Sequence, residues 1–132
     1  MNMRVTTVDL GSVQLGNNQF QDELLTFAGE NTFVEGTILA RDSVSGKLVP
    51  FVPGGNTNEN GIPKAVLAVE TTRATAGDVP IRPIISGDVV AERLVIDNGD
   101  PMTAAIKDQL RSYGIVALSV ADLSVLDNGG SA

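Results

Sequence analysis

GTILARDSVSGKLVPF, residues 36–51, decides the fold. Two runs rich in Val, Ile and Leu flank Ser43, Val44, Ser45 and Gly46, and the glycine stands where a tight hairpin turn needs positive φ. The pattern predicts strands over residues 33–41 and 47–52 joined by that turn. Working outward, further short apolar runs at 64–70, 79–85 and 89–96 are separated by Gly, Pro, Asn or Asp, which makes five short strands. Pro80 and Pro83 lack the amide hydrogen that a central strand would donate, so 79–85 is expected at an edge or interrupted. The stretch 53–63, with its glycines and asparagines, reads as an exposed loop. One helix is well signalled, with Asp100 as cap, Pro101 in the first turn, and Ile106, Leu110 and Tyr113 on one face. Gly114 then releases the chain into a strand over 115–120.

Before this block the sequence is poorer. Residues 1–19 have few large apolar side chains and the polar run Gly16, Asn17, Asn18, Gln19, so they read as an extended arm. Within the arm, residues 4–10 have good β-propensity from Val5, Thr6, Thr7 and Val8 without clean alternation, a strand waiting for a neighbour. The last residues, 127–132, are expected to fray. Alternating βα units are absent, which argues against a doubly wound parallel sheet.

Composition narrows the chemistry. The chain has 132 residues, 42% hydrophobic, enough for one domain with a core. It contains no cysteine and no histidine, which removes disulfides, thiolate sites and the commonest general base. No apolar stretch approaches the roughly 20 residues that cross a bilayer, and the N-terminus lacks the pattern of a secretory signal, so a soluble, unexported chain without a membrane partner is expected. Nine basic against sixteen acidic residues give a net charge of −7. That balance repels a phosphate backbone, the cations are scattered from Arg4 to Arg111, and four Phe with one Tyr leave few stacking platforms, so no nucleic-acid partner is expected. The acidity suits solubility or a basic protein partner.

Candidate sites reduce to structural readings. Asp97, Asn98, Gly99 and Asp100 form the local acidic cluster worth testing for a cation, but the longer loop and bidentate glutamate of a calcium site are missing, and a turn that also caps the helix explains them. Asp78 and Asp88 follow glycines and are expected to close turns. No nucleophile elbow, S-x-x-K, P-loop or G-x-G-x-x-G occurs. No cofactor, metal or catalytic residue is predicted, and the chain is not expected to be an enzyme. The phenylalanines at 20, 27, 33 and 51 are expected in the core, and Lys107 with Arg111 on a solvated face.

The order of these pieces resembles the lambda-type head decoration proteins of tailed bacteriophages. GTILARDSVSGKLVPF is similar to the family's opening hairpin, KAVLAVETT (64–72) to its next strand, VPIRPIISGDVVAERLV (79–95) to the following pair, and AAIKDQLRSYGIVAL (104–118) to the closing helix, glycine and strand. The resemblance implies a mixed β-rich (α+β) domain, a small β-barrel or β-sandwich-like body with one main C-terminal helix and an extended N-terminal arm. The expected division is arm 1–19, decoration domain 20–126 and flexible tail 127–132. It further implies a homotrimer on the outside of the phage head at local threefold positions, made in the host cytoplasm, without catalysis or cofactor. Its partner would be the major capsid protein, reached by Arg4, Val5, Thr6, Thr7, Val8, Asp9 and Leu10. Two rival readings are a receptor- or carbohydrate-binding β module of a tail fibre or appendage, which would want aromatic platforms, and a small β-rich hydrolase, which would want a deep pocket with two close carboxylates.

Overall fold

A computed structural model describes residues 12–119. The proposed arm strand at residues 4–10 and the tail at 127–132 lie outside the described residues. The hairpin is present as β4 (Ile38–Arg41) and β5 (Leu48–Pro50), paired antiparallel. Its turn is closed by Asp42, whose Oδ1 accepts from the amides of Val44 (2.8 Å) and Ser45 (2.9 Å), and by Gly46 at φ +76°.

The three residues Ile38, Leu39 and Ala40 are all buried, and alternation along the strand sends them to opposite faces. Ile38 and Ala40 join one apolar cluster with Val13, Phe51, Val66, Ile84, Leu110 and Ile115. Leu39 joins the other with Leu25, Phe27, Phe33, Leu48, Ala65 and Leu67. The sheet thus carries a core on each face, which is why its central strands read as unbroken apolar runs rather than as alternating ones.

Around this hairpin are β1 (Gln14–Phe20), β2 (Glu23–Phe27), β6 (Pro63–Val66), β8 (Gly77–Ile81), β9 (Ile84–Val90) and β10 (Ile115–Leu118). The order is β1-β9-β6-β4-β5-β2-β8, with β10 added to β9. The sheet curls into a half-barrel, so the body is a β-rich α+β domain, with β1 and β8 at opposite ends of an unclosed order. A separate ribbon pairs β3 (Asn31–Phe33) with β7 (Thr71–Arg73). The helix α1 (Ala104–Ser112) buries Ile106 and Leu110, and Gly114 at φ +90° turns the chain into β10, parallel to β9. One β9-α1-β10 crossover therefore sits in an otherwise mostly antiparallel sheet. Among the described residues no helix is long and apolar enough to cross a membrane.

Several expectations are corrected. Residues 14–19 are not arm: β1 is laddered on β9 and Val13 is fully buried, because backbone pairing to a strand some 70 positions away compensates for the scarcity of apolar side chains. The strand expected at 33–41 is split at Gly36, φ +94°. The one expected at 64–70 ends at Val66, and the one at 89–96 ends at Val90, where Ala91–Arg93 form a 3-10 turn. The helix cap is Thr103, whose hydroxyl accepts from the Ile106 amide at 3.2 Å, rather than Asp100. Asp78 and Asp88 lie within β8 and β9 rather than in turns. Tyr113 is 42% exposed, its ring lying under the Lys64 ammonium at 3.9 Å instead of in the core. The edge reading of Pro80 holds: β8 ends the sheet and the chain breaks before β9 at Arg82 and Pro83.

Candidate docking site

The residues Arg4 to Leu10, proposed for capsid contact, are outside the described part of the chain, but the point from which they extend is well defined. The Glu35 carboxylate accepts two hydrogen bonds through Oε2, from the Ser12 hydroxyl (3.0 Å) and the Val13 amide (3.0 Å). The Val13 carbonyl in turn accepts from the Val90 amide at 2.9 Å, and the Val13 side chain enters the core. One charged acceptor, one ladder bond and one buried valine therefore fix the first described residues to the body. Sequence reasoning missed Glu35, whose partners lie 22 and 23 positions away and leave no periodic signal.

Glu35 also lines a cleft of about 340 Å³ with Val34, Glu70, Glu92, Arg93 and Val95. Val34 and Val95 are 40% and 36% exposed there. The cleft exists because residues 34–38 run between two neighbours. Gly36 donates to the Leu67 carbonyl at 2.8 Å and accepts from the Val95 amide at 2.9 Å, and Thr37 bridges Val95. The same cleft carries the other described end: the Ser119 hydroxyl donates to Glu92 Oε2 at 2.6 Å. Ser12 and Ser119 thus both hang on carboxylates of one cleft.

Elsewhere the charged groups act as struts. Arg41 makes a two-pronged contact with Glu23 (3.0 and 2.8 Å), and this guanidinium holds the Glu23 carboxyl below its ordinary range while Glu23 raises Arg41. Lys47 reaches Asp78 at 2.6 Å and Thr26 donates to the same carboxylate at 2.9 Å, which lowers Asp78 in that order of importance. The amides of Ser45 and Val44 lower Asp42. Asn98 and Asp100 bond each other in a local turn, with Asn98 Oδ1 accepting from the Asp100 amide at 2.9 Å and the Asn98 side-chain amide donating to Asp100 Oδ2 at 3.1 Å. Among the described residues no group of three or more carboxylates is gathered as a metal site would need. Another cleft among the described residues, about 620 Å³, is broad and lined by residues that include Phe33, Asp42, Val49 and Asp97. Phe27, Phe33 and Phe51 are buried, with Phe27 and Phe33 stacked at 4.9 Å in a tilted pair, so they build the core rather than offering sugar-binding platforms.

The described residues thus form an acidic β-rich body with an apolar core on each face of its sheet. The chain belongs to the family described as bacteriophage lambda head decoration protein D, which matches residues 11–115. No curated protein and no solved structure matches it. Membership makes it a structural component of a phage head that associates with the capsid.

Proposed function

We propose that the protein cements the expanded phage head from outside, as a homotrimer at local threefold positions, and stabilises it against the pressure of packaged DNA. In this reading it is made in the host cytoplasm, its role is mechanical rather than catalytic, and its partners are the major capsid protein and its own copies. The family match over residues 11–115 carries the reading. The Glu35 clamp supports the docking role of the segment that precedes it, since a tether transmits load only if its root is fixed.

Arg4, Val5, Thr6, Thr7, Val8, Asp9 and Leu10 would add as a strand to the capsid protein. Each ladder hydrogen bond contributes about 0.5–1.5 kcal/mol net, while ordering each residue's backbone costs about 1–2 kcal/mol. These terms nearly cancel. The surplus must come from burying Val5, Val8 and Leu10 and from three linked arms binding together. Deleting residues 1–10 is therefore expected to leave the melting temperature nearly unchanged and to weaken addition to capsids that lack the protein. Val8→Asp is expected to do part of the same damage by placing a charge in the new interface. Cryo-electron microscopy of decorated capsids should show three-copy density at the local threefold positions. Isolated copies would remove the trimer, and undiminished decoration by the truncated chain would move the docking surface onto the body.

A further inference from the structure

We propose that Asn98 is a site of spontaneous covalent modification, where the side-chain amide of the folded protein is converted to aspartate and isoaspartate, and that the fold blocks the same reaction at Asn60. An asparagine followed by glycine is open to attack by its own backbone, because glycine has no side chain to hinder the approach. Among the described residues there are two such pairs, Asn60–Gly61 and Asn98–Gly99. In the reaction the glycine amide nitrogen, deprotonated by solvent base, bonds to the asparagine Cγ. The Cγ–Nδ2 bond breaks, and Nδ2 leaves as ammonia with a proton taken from water. Water then opens the cyclic imide at either carbonyl, so one water enters, one ammonia departs and nothing is oxidised or reduced.

The two pairs are chemically alike and structurally opposite. Asn60 is held on three sides: its carbonyl accepts from the Val52 amide (2.9 Å), its amide donates to the Thr57 carbonyl (3.0 Å), and its Oδ1 accepts from the Thr57 amide (3.1 Å). Its glycine is pressed against another. A Cβ at Gly61 would fall 2.2 Å from the Gly55 carbonyl oxygen, and one at Gly55 would fall 2.4 Å from Asn60 Oδ1. Swinging the Asn60 side chain onto the Gly61 nitrogen therefore breaks the Thr57 contact and turns a peptide that is packed in place. Asn98, Gly99 and Asp100 are exposed, and a Cβ at Gly99 would meet nothing within 4 Å. Among the described residues the Asn98 side chain bonds Asp100 alone, two positions on. The Gly99 amide donates to the Ile96 carbonyl at 2.9 Å, a single turn bond at the surface whose opening disturbs no strand. Conversion replaces the donor to Asp100 by a carboxylate, adding a negative charge between Asp97 and Asp100 just ahead of α1.

The test uses the full natural chain, incubated at mildly alkaline pH both folded and in urea, then digested and mapped by mass spectrometry with enzymatic isoaspartate methylation as a second readout. In the folded chain, conversion at Asn98 should run about tenfold or more faster than at Asn60, and in urea the two rates should become comparable. Comparable rates in the folded chain would overturn the proposal. So would an Asn98 that stays intact in the folded chain while the unfolded chain converts. An Asn60 that remains slow in urea would overturn it as well, because its protection would then not come from the fold.

Discussion

At the scale of single residues, Gly36 and Gly46 test two different reasons for glycine. Both have positive φ, +94° and +76°. A Cβ at Gly46 would meet nothing within 4 Å, whereas one at Gly36 would fall 1.9 Å from the Arg93 carbonyl oxygen. Gly46→Ala should therefore cost only the left-handed penalty, about 1–2 kcal/mol. Gly36→Ala adds a clash with the backbone of the Ala91–Arg93 3-10 turn, and is expected to cost about 3 kcal/mol or more in denaturant unfolding. Similar losses for both would mean that the 34–38 segment can move away from Arg93. The chain could not approach Arg93 and Leu94 this closely with a side chain at Gly36, whose backbone is bonded to Leu67 and Val95.

Among the elements, α1 separates cap from turn. Thr103→Ala removes the hydroxyl that accepts from Ile106 and should cost about 1 kcal/mol. Asp100→Ala, which loses only an exposed local turn contact, should stay within about 0.5 kcal/mol. Leu110→Ala, fully buried under the helix, should cost about 2–5 kcal/mol by chemical denaturation. The reverse ranking of the two caps would restore Asp100 as the helix start. The misplacement is instructive. Asp100 and Pro101 are the stronger local cap signal, yet the Asp100 amide and carboxylate are already taken by Asn98, and the helix waits for the next hydroxyl. The 42–47 turn was legible from Gly46, whose positive φ the turn requires, although the closing contacts of Asp42 were not read. β1 was not, because its stabilisation comes from pairing with the distant β9, from Val13 before it and from Phe20 and Asn18 within it, and these leave no apolar periodicity in QLGNNQF. The candidate site divides the same way. The family resemblance could be read from the order of the apolar runs, but the Glu35 and Glu92 anchors are contacts between distant segments.

For the molecule as a whole, the arrangement of ion pairs sets its response to acid. β2 and β8 pair with each other over five residues, while β2 meets β5 through the single pair Leu25 and Leu48. The Arg41–Glu23 and Lys47–Asp78 contacts span that thin junction, with the Leu25, Phe27, Leu39 and Leu48 cluster beneath it. Glu23 and Asp78 both have folded-state pKa values below their ordinary ones, so each contributes stability that is present above the unfolded value, about 4, and is lost as pH falls through the lowered folded value. Asp42, lowered by the turn amides, acts in the same direction. With no histidine in the chain, side chains contribute little titration between pH 6 and 8. The melting temperature should accordingly be flat across that range and decline below about pH 4. Hydrogen exchange at low pH should show β2 and β8 opening before β4, β6 and β9, because only the former lose their struts while the apolar clusters stay in place. Glu23→Gln with Asp78→Asn should lower stability at neutral pH and flatten the acid decline, since the neutral amides have no charge to lose. If the double variant declines with acid as steeply as the natural chain, the sensitive carboxylates lie elsewhere, and the β2–β8 junction is held by its apolar cluster alone.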